Sequence, residues 1–535
     1  MKRYGKEGES AVFKEADQLY RRNAFAPIDV SELTPEEIKK AQQALMFLTE
    51  KKDADKTKKA RMVFNGKPTR QWLGKEDSAS PTAFMESIML CAIVDAHERR
   101  DTMTADVPNA FIQTLMPPVK DGEERVIMKI TGVLVDLFVK MAPEVYSKFV
   151  VFENGKRVIY VVVLRALYGM LIASLLWYQA FRGELEKLGY KFNPYDPCVC
   201  NKMIKGNQHT VRFHVDDLMC SHVSKRVNDK FLKWLNEKYG SYGEVKATRG
   251  KVHDYLGMRF DFSQDGKVII DMVDYMESMV DDFSVSFKPT DVSANPADDD
   301  LFSIGDSPAI DKSKAQEFHT FVAKGLFACK RARPDIHQVI AALCTRVKEP
   351  NHHDWRKLIK LLRFINKTRK DTLTLSADDL HVIKWYVDAA FAVHPDFKSH
   401  TGGCMTMGQG SPISQSRKQK LNTDSSTHAE LVGAHDFSTM ILWTALFMEE
   451  QGYHIEKNIL YQDNKSAILL ETNGRKSAGK RSRALNIRYF FLTDQIEKGN
   501  LAVEYCPTKE MWGDYFTKPL SGELFRKFRK LIMGH

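Results

Sequence analysis

Seven carboxylates stand where apolar, strand-forming or helix-opening text would otherwise run on. Two of them, Asp216 and Asp217, lie in "TVRFHVDDLMCSH", after Val211, Phe213 and Val215 have alternated with Thr210, Arg212 and His214. That period of two reads as a half-buried strand. Adjacent carboxylates repel each other, and burial raises the pKa of at least one unless a cation compensates. Asp106, in "TADVPNAF", lies more than a hundred residues earlier. On a neighbouring strand it would converge with the pair into a cluster that suits Mg²⁺, whose charge removes the repulsion. Two such ions about 4 Å apart serve phosphoryl transfer. Read by itself, the dipeptide also suits a hairpin turn, where Asp is common.

The other four acids lie near the C-terminus: Asp388 in "WYVDAAF", Glu430 in "SSTHAEL", Asp463 in "LYQDNKSA" and Asp514 in "MWGDYFTKPL". Asp388 and Asp463 end or interrupt apolar strands. Glu430 opens a helical run, where an acid also complements the helix dipole. By itself it proves nothing.

These residues need elements to position them. "LTPEEIKKAQQALMFL" predicts a helix with a start signal at Thr34–Pro35 and acids in its first turn. "KKDADKTKKARMVFNGK" concentrates lysines before an apolar strand-like tip, and such a run is ordinarily a solvated loop. From Val158 to Phe260 strand-like and helical runs alternate, as in an α+β or α/β domain. "ELEKLGYKF" predicts a helix ended by Gly189, and "GKVHDYLGMRFDF" a strand around Tyr255–Phe260. "FKPTDVSANPADDDLFSIGDSPAID" is rich in Pro, Ser and Asp and reads as a linker. Helical text follows, and "HVIKWYVDAAFAVH" opens a last alternating unit. "NHHDW" could tempt a zinc reading, but without paired Cys or further His it reads as a helix start.

Length and composition set the frame. The chain has 535 residues, 43% hydrophobic and 28% charged, which suits about three globular domains. A net charge of +10 suits a nucleic-acid partner. Eight scattered cysteines form no disulfide framework or CxxC ladder, which points to a reducing compartment. "ALYGMLIASLLWYQAF", Ala166 to Phe181, falls short of the roughly 20 residues of a membrane span and predicts a buried or half-buried helix. No signal peptide is visible, and no membrane partner is expected.

Taken in order, "DVPNAF", "LYGMLIASLLWY", "FHVDD" and "YLGM" resemble the reverse transcriptase of copia-type retrotransposons. "ARPDI" and "TKPL" extend the resemblance over nearly the whole chain. It implies an α+β / α/β multidomain fold. Reverse transcriptase fingers and palm would span 1–285, linker, thumb and connection helices 286–380, and a ribonuclease H-like domain 381–535. Asp106, Asp216 and Asp217 become polymerase carboxylates, with the Val107 carbonyl completing a metal site. Phe111 becomes the aromatic that blocks a ribose 2′-hydroxyl. Arg61, helped by Lys59, would steady the incoming triphosphate, as the two-pronged guanidinium suits phosphate. Asp388, Glu430, Asp463 and Asp514, in the order D, E, D, D, become the metal ligands of a ribonuclease H, and "SQSRKQK" (Arg417, Lys418, Lys420) would hold phosphates or form a solvated basic turn. The implied cofactor is Mg²⁺, with Mn²⁺ an alternative. The implied partners are an RNA template, a DNA primer, an RNA–DNA hybrid and deoxynucleoside triphosphates. An intracellular setting, in a cytoplasmic particle or the nucleus, goes with them; oligomeric state is left open.

The chain departs from the family pattern at three places. Leu171-Ile172 replace Lys-Gln, and Ser174 and Leu175 replace Pro and Arg; the resemblance gives position 172 a glutamine that helps hold the nucleotide. His214 opens "HVDD", and Leu485-Asn486 stand where His and Asp are usual. Two other readings of the same residues are a silent nucleic-acid-binding remnant and a ribonuclease H with a non-functional polymerase half.

Overall fold

Four β-sheets, threaded by helices, organise the computed structural model, which describes residues 5–50, 57–120, 122–474 and 486–535. The lysines of positions 51–56 and Leu485 lie outside the described residues. The first sheet runs in the order Phe25–Pro27, Lys156–Val163, Ile127–Thr131, Gln42–Glu50, Lys58–Phe64. Thr34 and Glu37 form the predicted helix start as a reciprocal capping box, but the helix ends at Lys40 rather than near Leu48. Residues 42–50 instead pair antiparallel with Lys58–Phe64, so sheet formation overrides a helical pattern.

The second sheet carries the first acids. Its order is Lys246–Gly250, Asp101–Asp106, Asp217–His222, Asn207–His214, Asp196–Ile204, Lys191–Asn193. The expected strand before Asp216 is present, but it is buried on both faces. Val211 and Phe213 join Trp177 and Phe181 of the helix Ala173–Lys187. Arg212, expected to face outward, is fully buried and pairs at 2.6 Å with Asp95 of the helix Met85–His97. A charge can stay inside because a partner charge meets it there.

Two further expectations change. The helix of residues 166–181 begins only at Ala173, because Gly169 adopts φ +90° in a turn beneath the Lys58–Phe64 strand. The strand expected around Tyr255–Phe260 is a hairpin of Val252–Tyr255 and Met258–Asp261, turned at Leu256-Gly257, both with positive φ. Asn351 and Asp354 form a capping box at the start of His352–Thr368, so "NHHDW" is a helix start.

The segment rich in Pro, Ser and Asp has no helix or strand between Asp282 and Asp311, as a linker would, but it is strapped to the helix His352–Thr368. Asn366 donates to the carbonyls of Lys288 and Asp291, and Lys357 to those of Leu301 and Ser303.

The last sheet is mixed. Ile413–Lys418, His400–Thr406 and Val382–Ala390 pair antiparallel, then Lys457–Gln462 and Ala502–Tyr505 add in parallel. Numbered from the start of this unit, the strand order is 3-2-1-4-5. The helix Ser426–Glu450 covers it and is long and apolar enough to cross a membrane by length and composition. Phe437, Ile441, Phe447 and Met448 of this helix are nevertheless buried in the core. All eight cysteines are free.

"ARPDI" is a structural node. Asp335 is fully buried, paired with Arg333 at 2.8 Å and with Arg529 of the C-terminal helix at 3.0 Å. Despite burial, these guanidinium groups pull its carboxyl down to about 2. Replacing Asp335 by Ala leaves the buried Arg333 without a carboxylate, while Arg529 keeps Asp371, and the expected cost is about 3–5 kcal/mol, read as a lower midpoint in chemical denaturation. The stabilisation from Asp335 is present above the ordinary carboxylate pKa. It is lost as pH falls through about 2, where the folded-state carboxyl takes up its proton.

Candidate active sites

The register of the second sheet brings the first acids together. Asp106 is directly opposite Asp217 on one neighbouring strand and opposite Lys246 on the other. Like charges placed opposite each other across a ladder destabilise it. Asp216 occupies the hairpin turn before Asp217, so the dipeptide is a turn as well as a charge pair. The turn is held in an unfavourable shape. Val215 has φ +61°, a region β-branched residues avoid. Trp177 Nε1 donates to the Val215 carbonyl at 2.6 Å, and the Val107 N–H to the Asp216 carbonyl at 3.2 Å. Burial raises the Asp216 and Asp217 carboxyls; Asp106 adds to both, while Arg61 opposes the shift at Asp216.

Above them lies a cleft of about 370 Å³ lined by Lys59, Arg61, Asp106, Asp216, Tyr168 and Lys246, among others. The Arg61 guanidinium lies 4.0 Å from the Tyr168 ring centroid, and the Phe111 ring packs on Tyr168 with centroids 4.7 Å apart. Arg61 makes no ion pair among the described residues, and it lines the cleft beside Tyr168. Tyr168, within "LYGM", is a cleft residue that the motif by itself does not single out. Ile172 lines a separate, mainly apolar cavity with Phe64, Trp72 and Leu171. The turn at Gly169 separates the two, so that Tyr168 lines the cleft and Ile172 the other cavity.

The second set gathers at one end of the last sheet. Asp388 lies on its central strand, Glu430 on the covering helix, Asp463 just past the strand Lys457–Gln462, and Asp514 at a helix start. Carboxylate oxygens of Asp388, Glu430 and Asp463 all lie within 4.8 Å of one another, and among the described residues this is the trio that reaches such spacing. Burial lifts the Glu430 carboxyl far up, with Asp388 and Asp463 adding. The Asp514 and Asp463 carboxyls are raised by burial and by Asp388. A cluster of buried acids with this repulsion fits a divalent cation.

Asp514 stands slightly apart because a lysine intervenes. Lys518 Nζ lies 2.6 Å from Asp514 and 3.4 Å from Asp388, and Asp388 also accepts from the Thr517 hydroxyl. Lys518 stands within "TKPL", four residues after Asp514 and just past the short helix Asp514–Thr517. Arg417 and Lys418 end the strand Ile413–Lys418 rather than form a turn, and their pairs with Asp436 and Asp396 partly neutralise the basic run.

Comparison with known proteins decides the family. Residues 30–293 match the family described as reverse transcriptase (RNA-dependent DNA polymerase). Residues 30–293 carry a reverse transcriptase domain, and the chain is similar to copia-type Pol polyproteins. It is 25% identical over 485 residues to the retrovirus-related Pol polyprotein from transposon TNT 1-94 of Nicotiana tabacum, covering 89% of this chain and 34% of the relative. With that from transposon RE1 of Arabidopsis thaliana it shares 24% over 478 residues, 89% of this chain and 30% of the relative. The chain thus spans about a third of the length of these relatives. Among solved structures, prototype foamy virus protease–reverse transcriptase aligns over 97% of this chain and 56% of its own at 14% identity. Its TM-score is 0.28. The matched reverse transcriptase segment contains Asp106, Asp216, Asp217, Arg61, Phe111 and Tyr168 but ends well before Asp388.

Because the second acid cluster must shed protons to hold a cation, Mn²⁺ binding by the whole chain is expected to release protons. Affinity then rises up to about tenfold per pH unit for each proton released, above the ordinary carboxylate range. Calorimetry in buffers of different ionisation enthalpy reads that release, and Asp388→Asn should abolish the pH-dependent site.

Proposed function

We propose that the chain is an RNA-directed DNA polymerase that copies RNA into DNA, with ribonuclease H activity on RNA–DNA hybrids in its last unit. One observation carries the polymerase reading: the register that sets Asp106 opposite Asp217, with Asp216 in the same cleft as Arg61. On this reading Asp106, Asp216 and Asp217, with the Val107 carbonyl, hold divalent cations, Mg²⁺ by preference. Bound there, the cations neutralise phosphate charge and activate the attacking oxygen. The protein's own task is placement. Arg61 presents its fork to the triphosphate, with Lys59 beside it. Phe111, wedged against Tyr168, fills the space a 2′-hydroxyl would need. Tyr168 takes the place in the nucleotide pocket that sequence reasoning gave to Ile172. The RNA template and DNA primer would be gripped mainly through phosphate contacts.

The ribonuclease reading is supported by the trio Asp388, Glu430 and Asp463, with Asp514 and Lys518 beside it, on a five-stranded sheet of order 3-2-1-4-5. Such an acid cluster suits two-metal hydrolysis, with a hybrid recognised by backbone and 2′-hydroxyl contacts. An intracellular setting, in a cytoplasmic particle or the nucleus, follows from these substrates.

Substitutions separate the two activities. Purified chain should extend a DNA primer on an RNA template with Mg²⁺ and deoxynucleotides, and should cut the RNA of a preformed hybrid. Asp216→Asn is expected to reduce extension by roughly a hundredfold or more and to spare cleavage, and Asp463→Asn to do the reverse. Extension that survives Asp216→Asn would overturn the polymerase assignment. Phe111→Ala is expected to lower discrimination against ribonucleotides by about tenfold, measured as the ratio of kcat/KM for matched nucleotides.

A further inference from the structure

The N-terminal helix Gly5–Arg21 lies outside the matched residues 30–293, yet it forms a wall of the polymerase cleft. Ala11, Lys14, Glu15 and Gln18, spaced to share one helix face, line the same space as Arg61, Asp106 and Asp216. Its other face is anchored: Ala16 and Leu19 are buried in the first core with Met62 and Phe64. Lys58–Phe64 is the edge strand of its sheet, and an edge leaves N–H groups unpaired. Glu15 accepts one of them, from Met62 at 3.0 Å, next to Arg61 in the chain. Burial raises the Glu15 carboxyl, but the Met62 N–H, Arg61 and Lys59 oppose the shift.

Lys14 has no such use. It is exposed to the cleft and makes no hydrogen bond or ion pair among the described residues. With Arg61, Lys59 and Lys246 it gives the cleft a cationic side facing the acidic floor of Asp106 and Asp216. Opposed charge of this kind, in one concave site, concentrates a ligand that is itself anionic and cation-bound. We propose that Lys14 binds the triphosphate of the incoming nucleotide and that Glu15 is a positioning residue that fixes the strand bearing Arg61. The inference rests on the polymerase reading.

The test uses the full chain with Lys14→Ala, Lys14→Arg, Glu15→Ala and Glu15→Gln. Lys14→Ala should raise KM for deoxynucleotides about tenfold with kcat within about twofold, and Lys14→Arg should restore most of it. Glu15→Gln, which keeps an acceptor for the Met62 N–H, should stay nearer wild type than Glu15→Ala. Nucleotide affinity measured on a dideoxy-terminated primer, where no chemistry follows, should fall by the same factor in Lys14→Ala. Primer–template affinity should not change. Unaltered nucleotide affinity would overturn the proposal, and so would a loss confined to primer–template, which would give Lys14 to the nucleic-acid backbone instead. If wild type binds nucleotide on the blocked primer but never extends a free one, the polymerase reading fails while the Lys14 measurement still stands.

Discussion

Repulsion between carboxylates is the constraint around which both ends of this chain are built. Asp106 and Asp217 face each other across a ladder, with Asp216 in the adjoining turn. Left alone, a turn with Val215 at φ +61° would relax, since such a conformation costs of order 1–3 kcal/mol. It is held by two hydrogen bonds to consecutive carbonyls, one from Trp177 and one from the Val107 backbone. Trp177 itself is almost fully buried between Phe181 and Tyr239, so the helix behind the sheet sets the turn at its front. The pairing of Arg212 with Asp95 then ties the opposite face of the same strand to a second helix. Packing energy spent far from solvent thus holds charges where a cation can use them.

The second site solves the problem differently. Its acids come from a strand, two helix starts and a strand end, so no single register brings them together. They meet because the covering helix packs along the central strand and because Lys518 neutralises part of the charge. The aspartate and the lysine share a helical turn, and each supports the other's charged form. Burial, and then Asp388, still push the Asp514 carboxyl up against the pull of Lys518.

Local signals in the sequence were the ones that carried over. The caps at Thr34 and Asn351, the helix end at Gly189 and the strand before Asp388 all depend on neighbours a few residues away. The convergence of Asp106 with Asp216 and Asp217 was legible only as a condition on strand pairing, and pairing satisfied it. What could not be read was set by distant partners. Residues 42–50 carry a helical pattern, but the edge offered by Lys58–Phe64 claims them as strand. Arg212 alternates like an exposed residue, and only Asp95, far away in the chain, explains its burial. A segment composed like a loose linker is pinned by Asn366 and Lys357, whose carbonyl partners no composition reveals.

The least legible point was also the most consequential for chemistry. Gly66 and Gly169 approach so closely that a Cβ on Gly169 would strike the Phe64 carbonyl, and one on Gly66 the Gly169 carbonyl. With side chains there, the turn could not lie under the strand bearing Arg61. Because it does, Phe64 N–H bonds the Tyr168 carbonyl, and the Tyr168 ring is carried up against Arg61 and Phe111. The residues that follow turn away, so Leu171 and Ile172 pack into a different cavity. A substitution that looks damaging along the chain therefore falls outside the cleft, while the glycine that makes the cleft possible carries no side chain to draw notice. Close backbone approach, rather than the polar residues near it, sets which of the two cavities each side chain can reach.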